Sequence, residues 1–270
     1  FRNLLRNLTY SFLTMSSLVL GITMATLMFL WVGYELTYNH ALADRERVFA
    51  LLTNDLVEGE IITQEGNNAP LMDFLTSELP EIESVTRIDN TRALLTQGEK
   101  SVQKSGIYAD TSFFTVHPVS LVDGNMAKPL PDIHAIAISK TLADLLFVNG
   151  DAVGKTIIID RKNEFVVTSV YNLFPANTSL NYINYVLPYH SRFREADEWV
   201  NYDIKLYDPA ARGQVEMKIN KKFGAIFNNN NSKALLFCVD DWRLHWNFEN
   251  GKSTGGRIVY LAIFSITGIF

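Results

Sequence analysis

Charged residues are confined to part of the chain: none occurs between Arg6 and Glu35 or after Arg257, and they are frequent in between. The run at residues 11–34 (SFLTMSSLVLGITMATLMFLWVGY) is uncharged and mostly apolar. At about 1.5 Å per residue it can cross a hydrocarbon layer of about 30 Å as a helix. A transmembrane helix is therefore expected over residues 11–36. A cleaved signal peptide is the competing reading, but it has a shorter apolar stretch and a small-x-small cleavage site. Here the stretch ends in Trp31 and Tyr34 with no Ala-x-Ala after it, which suits an interfacial aromatic belt. Before the span, Phe1, Leu4, Leu5 and Leu8 recur at helical spacing, opposite Arg2, Asn3, Arg6 and Asn7. Residues 1–10 thus read as an amphipathic helix on the inner membrane surface, although a simple continuation of the span fits the same residues. The closing stretch 258–270 (IVYLAIFSITGIF) is apolar and too short to span. It reads, with Arg257 before it, as the start of a second transmembrane helix over residues 257–270, in a chain trimmed from something longer. Arg2, Arg6, Trp31, Tyr34, Arg257 and Tyr260 are the candidate membrane-interface residues.

The middle of the chain changes period repeatedly. Residues 47–54 predict a strand leaving the membrane, and Asn67 and Asn68 a turn. Pro70 opens a helix with Leu71, Phe74, Leu75 and Leu79 on one face, ended by Pro80. Strands are expected at 84–88 and 92–96, a polar turn at 97–100, and a capped turn or short helix at 110–116. Ser139 is an N-cap candidate for a helix with Leu142, Leu145 and Leu146 on its buried side. Residues 156–160 and 164–171 form a predicted hairpin through Arg161, Lys162 and Asn163. Further strands are expected at 182–187, 202–207 and 234–239, with a helix at 209–227 and a loop at 228–231. No internal repeat and no Pro- or Gly-rich linker divides this α+β region.

Composition changes this picture little: 270 residues at 47% hydrophobic and 20% charged suit one large or two modest globular units. Charge adds orientation. Arg2 and Arg6 have no acidic neighbour, so the positive-inside tendency puts the N-terminus in the cytoplasm and the middle outside it. Of 24 basic and 29 acidic residues, removing those two arginines leaves 22 against 29, a balance of −7. No nucleic acid is expected as a partner. The single cysteine, Cys238, allows no internal disulfide, so the outer region must be held by its core, which suits a bacterial periplasm as well as any other compartment.

Candidate chemistry is sparse. Gly150-Asp-Ala-Val-Gly154-Lys155-Thr156 looks like a phosphate-binding loop but is one residue short between its glycines. It also runs into Ile157, Ile158 and Ile159, which predict a strand where the nucleotide motif needs a helix. Histidines 40, 117, 134, 190 and 245 contain no His-x-x-x-His pair, so neither a metal nor a cofactor site is assigned. Asp240 with Asp241, and Glu58 with Glu60, could form acid–base pairs, but adjacent acidic residues in loops read as solvated carboxylates. Gly-x-Ser-x-Gly is absent, and no catalytic residue is assigned. Asn177-Thr178-Ser179 and Asn230-Asn231-Ser232 match the glycosylation acceptor, which matters only in a eukaryotic secretory setting. Trp242, His245 and Trp246 read as packing where the outer region returns to the bilayer.

An ordered set of segments carries a resemblance: FRNLLRNLTYSF at 1–12, FLWV at 29–32, ELTYN at 35–39, YADTSFF at 108–114, AISKTLA at 137–143, GKTI at 154–157 and FVVTSV at 165–170. Together they resemble the permease subunits of MacB/FtsX-type ABC transporters, especially Bacteroidetes-like members. DGN at 123–125 fits the family pattern, whereas LFVNG at 146–150 departs from the commoner Leu-Phe-Gly. The resemblance implies a periplasmic core domain of mixed α/β structure over residues 37–256, with a porter-like part near the membrane and a second lobe beyond it. It also implies a permease homodimer or heterodimer in the bacterial inner membrane, multi-pass in the parent protein and in contact with membrane lipid. A separate cytoplasmic ABC-type ATPase would drive it, so the permease is not itself an enzyme, and a periplasmic adaptor or substrate would meet the outer domain. Such permeases transmit closure of their inner helix ends into periplasmic motion, with residues 11–34 and the helix from Ile258 as levers. A two-span receptor with an extracytoplasmic sensor domain shares this topology, and a regulator of cell-wall hydrolases stays within the family.

Overall fold

The computed structural model describes residues 8–67, 71–125, 127–192, 200–227 and 231–267. Its first element is one unbroken helix, α1 (Leu8–Leu36). Within it, residues Thr9–Leu36 are long and apolar enough to cross a membrane, with a mean hydropathy of 1.9. The hydroxyls of Thr14, Thr23 and Thr26 donate to the carbonyls four residues back, at 2.9, 2.8 and 2.8 Å, which satisfies them inside an apolar run. Most of the expected surface helix at residues 1–10, with Arg2 and Arg6, lies outside the described residues.

Among the described residues eleven strands form one mixed sheet. They are β1 (Val48–Val57), β2 (Glu60–Glu65), β3 (Ile82–Gln97), β4 (Lys100–Ala109), β5 (Leu121–Gly124), β6 (Ala135–Ser139), β7 (Thr156–Ile159), β8 (Asn163–Tyr171), β9 (Tyr185–Pro188), β10 (Asn201–Leu206) and β11 (Ser232–Cys238). Their order is β11-β1-β10-β3-β4-β9-β6-β8-β5, with β2 added to β1 and β7 bridging β3 and β8. A separate hairpin of β12 (Asn247–Glu249) and β13 (Lys252–Gly255) precedes the last described helix.

Two cores follow from this order. At one end Phe49 and Leu51 of β1, Tyr202, Ile204 and Leu206 of β10, and Ala234 and Leu236 of β11 face two helices. These are α2 (Met72–Ser77) and α5 (Arg212–Phe227), which contribute Leu75 and the one-face set Val215, Ile219 and Phe223. At the other end β6, β7, β8 and the far end of β3 enclose Leu142, Ala143 and Leu146 of α4 (Lys140–Leu146). β6 is AIAIS, buried at all five positions, the continuous run expected of a strand covered on both faces. Between them a third cluster centres on Phe113 of α3 (Phe113–Val116), whose ring meets Phe114, His117 and Phe174.

Several expectations hold and several change. Ser139 caps α4 by accepting from the Leu142 N–H at 3.2 Å. The hairpin of β7 and β8 has Ile159 opposite Asn163, with Asp160 and Arg161 both at positive φ in its turn. The two strands expected at 84–88 and 92–96 are one sixteen-residue strand. Its polar middle does not turn, because Asp89 pairs with Arg192 and Asn90 accepts the Tyr182 hydroxyl. Leu145 is exposed, on the far side of the arc occupied by Leu142, Ala143 and Leu146. The expected strand at 182–187 narrows to β9, which begins at Tyr185. The helix expected from Pro70 begins at Met72, and Pro70 and Asn68 lie outside the described residues. β2, β4, β5, β6 and the β12–β13 hairpin were not anticipated.

Candidate functional site

The end of α1 is fastened into the outer region by a small polar clasp. Glu35, in its last turn, is 1% exposed. Its Oε2 accepts from Nε of Arg243 and its Oε1 from Nη2 of the same guanidinium, both at 2.8 Å. Arg257 Nη1 donates to Oε1 at 3.2 Å. Arg243 sits on α6 (Trp242–His245), and Arg257 is the first residue of α7 (Arg257–Thr267). One carboxylate therefore joins α1, α6 and α7. A buried carboxylate is tolerated where cations and hydrogen bonds surround it, and the two-point fork adds geometric specificity. The Arg243 guanidinium also lies 4.5 Å over the ring of Tyr38. Burial pushes the Tyr38 hydroxyl above its ordinary value.

A second set of bonds fixes the chain leaving α1. Asn39 is fully buried and left-handed, φ 64°, a conformation that asparagine adopts more readily than most residues. Its N–H donates to the Asn177 carbonyl at 3.0 Å, and its Nδ2 to the Val239 carbonyl at 2.9 Å. Its Oδ1 accepts from the Ser179 N–H at 2.7 Å. Asn177 returns the contact, donating from Nδ2 to the Tyr34 carbonyl at 3.0 Å and to Thr37 Oγ1 at 3.1 Å. A carbonyl that helix ends leave open is thus satisfied from the outer region.

The orientation of α6 is set by an aromatic cluster. Trp242 stacks on Trp246 at 4.2 Å, and Phe237 of β11 and Phe248 of β12 close around them. Along the helices, Trp31 meets Phe264 of α7 edge-on at 5.4 Å, and Val32 and Leu261 are buried.

Among the candidate interface residues, Trp31, Tyr34 and Arg257 fall at this junction, through the Phe264 contact, the Tyr34 carbonyl and the Glu35 bridge. Tyr260 is on α7 with an exposed ring. Sequence reasoning missed Glu35, Asn39, Asn177 and Arg243 as partners. The available signal was Glu35 itself, the first charge after the span. Asn177 was noticed only within a glycosylation match.

Other weighed residues lie apart. Lys155 bonds the Asp151 carbonyl and side chain, at 2.6 and 3.0 Å, beside β7. Asp240 is held by Arg45 at 2.9 Å. His117 bonds Asp203 at 2.7 Å, and His190 lies beside Arg87. Among the described residues no group of three or more His, Cys, Asp or Glu could hold a metal ion. Burial pushes the Cys238 thiol up.

A mixed α/β domain clasped to a long apolar helix defines a membrane-anchored chain with an outer domain. The chain belongs to the MacB-like periplasmic core domain family, whose model matches residues 11–222; the outer domain is accordingly periplasmic. A search of curated proteins finds no match. Solved structures share the fold. A domain of a putative permease protein from Porphyromonas gingivalis aligns at TM-score 0.61 and 16% identity, over 73% of this chain and 92% of that one. The periplasmic region of MacB from Actinobacillus actinomycetemcomitans aligns at 0.55 and 15% identity, over 73% and 91%. The extracellular domain of the noncanonic ABC-type transporter YknZ from Gram-positive bacteria aligns at 0.53 and 11%, over 69% and 99%.

Proposed function

We propose that this chain is the force-transmitting part of a MacB/FtsX-type ABC transporter permease. In this reading residues 11–36 cross the inner membrane, 37–256 form the periplasmic core and 257–270 begin a second crossing of a multi-pass parent. A cytoplasmic ABC-type ATPase supplies the work, and the permease acts as a dimer in contact with lipid and with a periplasmic adaptor or substrate. The observation that carries the reading is the Glu35 clasp. It ties α7 and α6 to one side chain of α1, and so joins both ends of the outer region. A movement of either helix is then delivered to β11, whose Phe237 packs on the aromatic residues around α6, and so to the sheet.

The test is purification of the full-length parent protein from its native membrane with tagged neighbours. A stoichiometric ATPase in the eluate is the expected result. Repeated recovery of a kinase, or of no ATPase, would overturn the transporter reading in favour of a two-span receptor.

A further inference from the structure

The face of the sheet opposite α2 and α5 carries a cavity of about 210 Å³. Its floor is apolar, from Ala50 and Leu52 of β1 and Ile88 of β3, and Tyr182 and Trp242 add aromatic surface to its wall. Its polar lining combines the carboxylates of Glu65 and Asp203 with the imidazole of His117 and the neutral side chains of Asn90, Ser179 and Asn201. Glu65 stands at the mouth, and Asp203 lines the interior with one oxygen on His117 Nε2 at 2.7 Å. No lysine or arginine lines the cavity among the described residues. The nearest cation on that face of β10, Lys205, is spent on the Thr115 carbonyl, Asp44 and Glu83.

We propose that this cavity binds a compact organic cation, an ammonium group carried on a small apolar or aromatic body. The carboxylates supply charge-assisted acceptors for the ammonium, and the aromatic surface adds cation–π attraction. The apolar floor takes the body. The volume is below that of a usual drug-sized pocket, so the ligand is small. Among the described residues these groups do not converge as a metal-holding set. Titration behaviour agrees with a negative potential here. Burial, and then Asp203, raises the Glu65 carboxyl, and burial, followed by Asp203 and Glu65, pushes the Tyr182 hydroxyl up to about 12. A bound cation relieves both. The site goes beyond the transporter reading and does not depend on it.

The test is calorimetric titration of the full-length protein in lipid nanodiscs with benzylammonium, and with benzyl alcohol and benzoate as its neutral and anionic counterparts. Benzylammonium is expected to bind saturably and about tenfold tighter than benzyl alcohol, with benzoate not binding. Glu65→Gln, at the exposed mouth, is expected to weaken benzylammonium about three- to tenfold, and Ala50→Leu, which fills the floor, to abolish binding. No saturable binding at about 5 mM, or equal binding of cation and alcohol, overturns the proposal. So does unchanged affinity in both variants.

Discussion

Replacing Arg243 by alanine removes two hydrogen bonds of 2.8 Å from a carboxylate that is 1% exposed. Hydrogen bonds to a charged group contribute about 1.5–3 kcal/mol each. Arg257 stays within 3.2 Å of Glu35, and the Arg243 side chain, at 25% exposure, leaves a path for water. Discounted for both, the loss is about 2–3 kcal/mol. Arg257→Ala removes a single longer contact from a half-exposed side chain, worth less than about 1 kcal/mol. At about 2–4 °C per kcal/mol for a domain of this size, Arg243→Ala lowers Tm by about 4–12 °C and Arg257→Ala by less than about 4 °C. Thermal unfolding of the full-length protein in nanodiscs, with Glu35→Gln completing a double-mutant cycle, measures both. The cycle with Arg243 is expected to give a coupling of about 1–3 kcal/mol. Equal shifts for the two arginine variants, or a coupling near zero, would refute the clasp.

Other outcomes follow from the same structure. Asn39→Ala strips bonds from the Val239 carbonyl and the Ser179 N–H and puts alanine at φ 64°; the expected cost is about 3 kcal/mol or more by thermal unfolding, against a smaller loss for Asn39→Asp. Gly106→Ala would bring a Cβ within 2.5 Å of the Tyr185 carbonyl oxygen and 2.6 Å of its ring. Backbone cannot yield there, so the variant should fail to accumulate folded or lose well over about 2 kcal/mol. Burial, reinforced by Asp203, raises the Glu65 carboxyl above its ordinary 4.5, so the folded state holds that proton to higher pH than the unfolded chain. Stability therefore falls as pH rises from the ordinary value through the raised one. Glu65→Gln should unfold at higher temperature than the parent at pH 7, with the difference vanishing below about pH 4.

The sequence made some elements plain and hid others for physical reasons. The long apolar helix was legible because a soluble core rarely demands so long an uncharged, mostly apolar run, and the β7–β8 hairpin because β-branched alternation meets a polar turn. α5 falls within the helix expected at 209–227, and its buried face is Val215, Ile219 and Phe223, one turn apart. β4 was hidden because Lys100, Ser101, Gln103 and Lys104 carry no apolar alternation; it is a strand because ten of its residues pair with β3. β3 looked broken because its polar centre resembles a turn until Arg192 and Tyr182 arrive from far along the chain. The clasp was hidden for the same reason, since Glu35 and Arg243 are 208 residues apart. A single charge ending an apolar helix gives no sign of which partner will bury it.

The central claim is that α1 and α7 act as the levers that drive the outer domain. Trp31 and Phe264 meet with ring centroids 5.4 Å apart, so Trp31→Cys and Phe264→Cys, in a Cys238→Ala background, put two thiols on facing helix surfaces for a disulfide-containing bismaleimide to bridge. With the full-length parent protein and the proposed partner ATPase in nanodiscs, coupled ATP turnover is measured before crosslinking, after it, and after reduction. The account predicts loss of coupled turnover on crosslinking and recovery on reduction; coupled turnover that continues unchanged with the crosslink formed would contradict it.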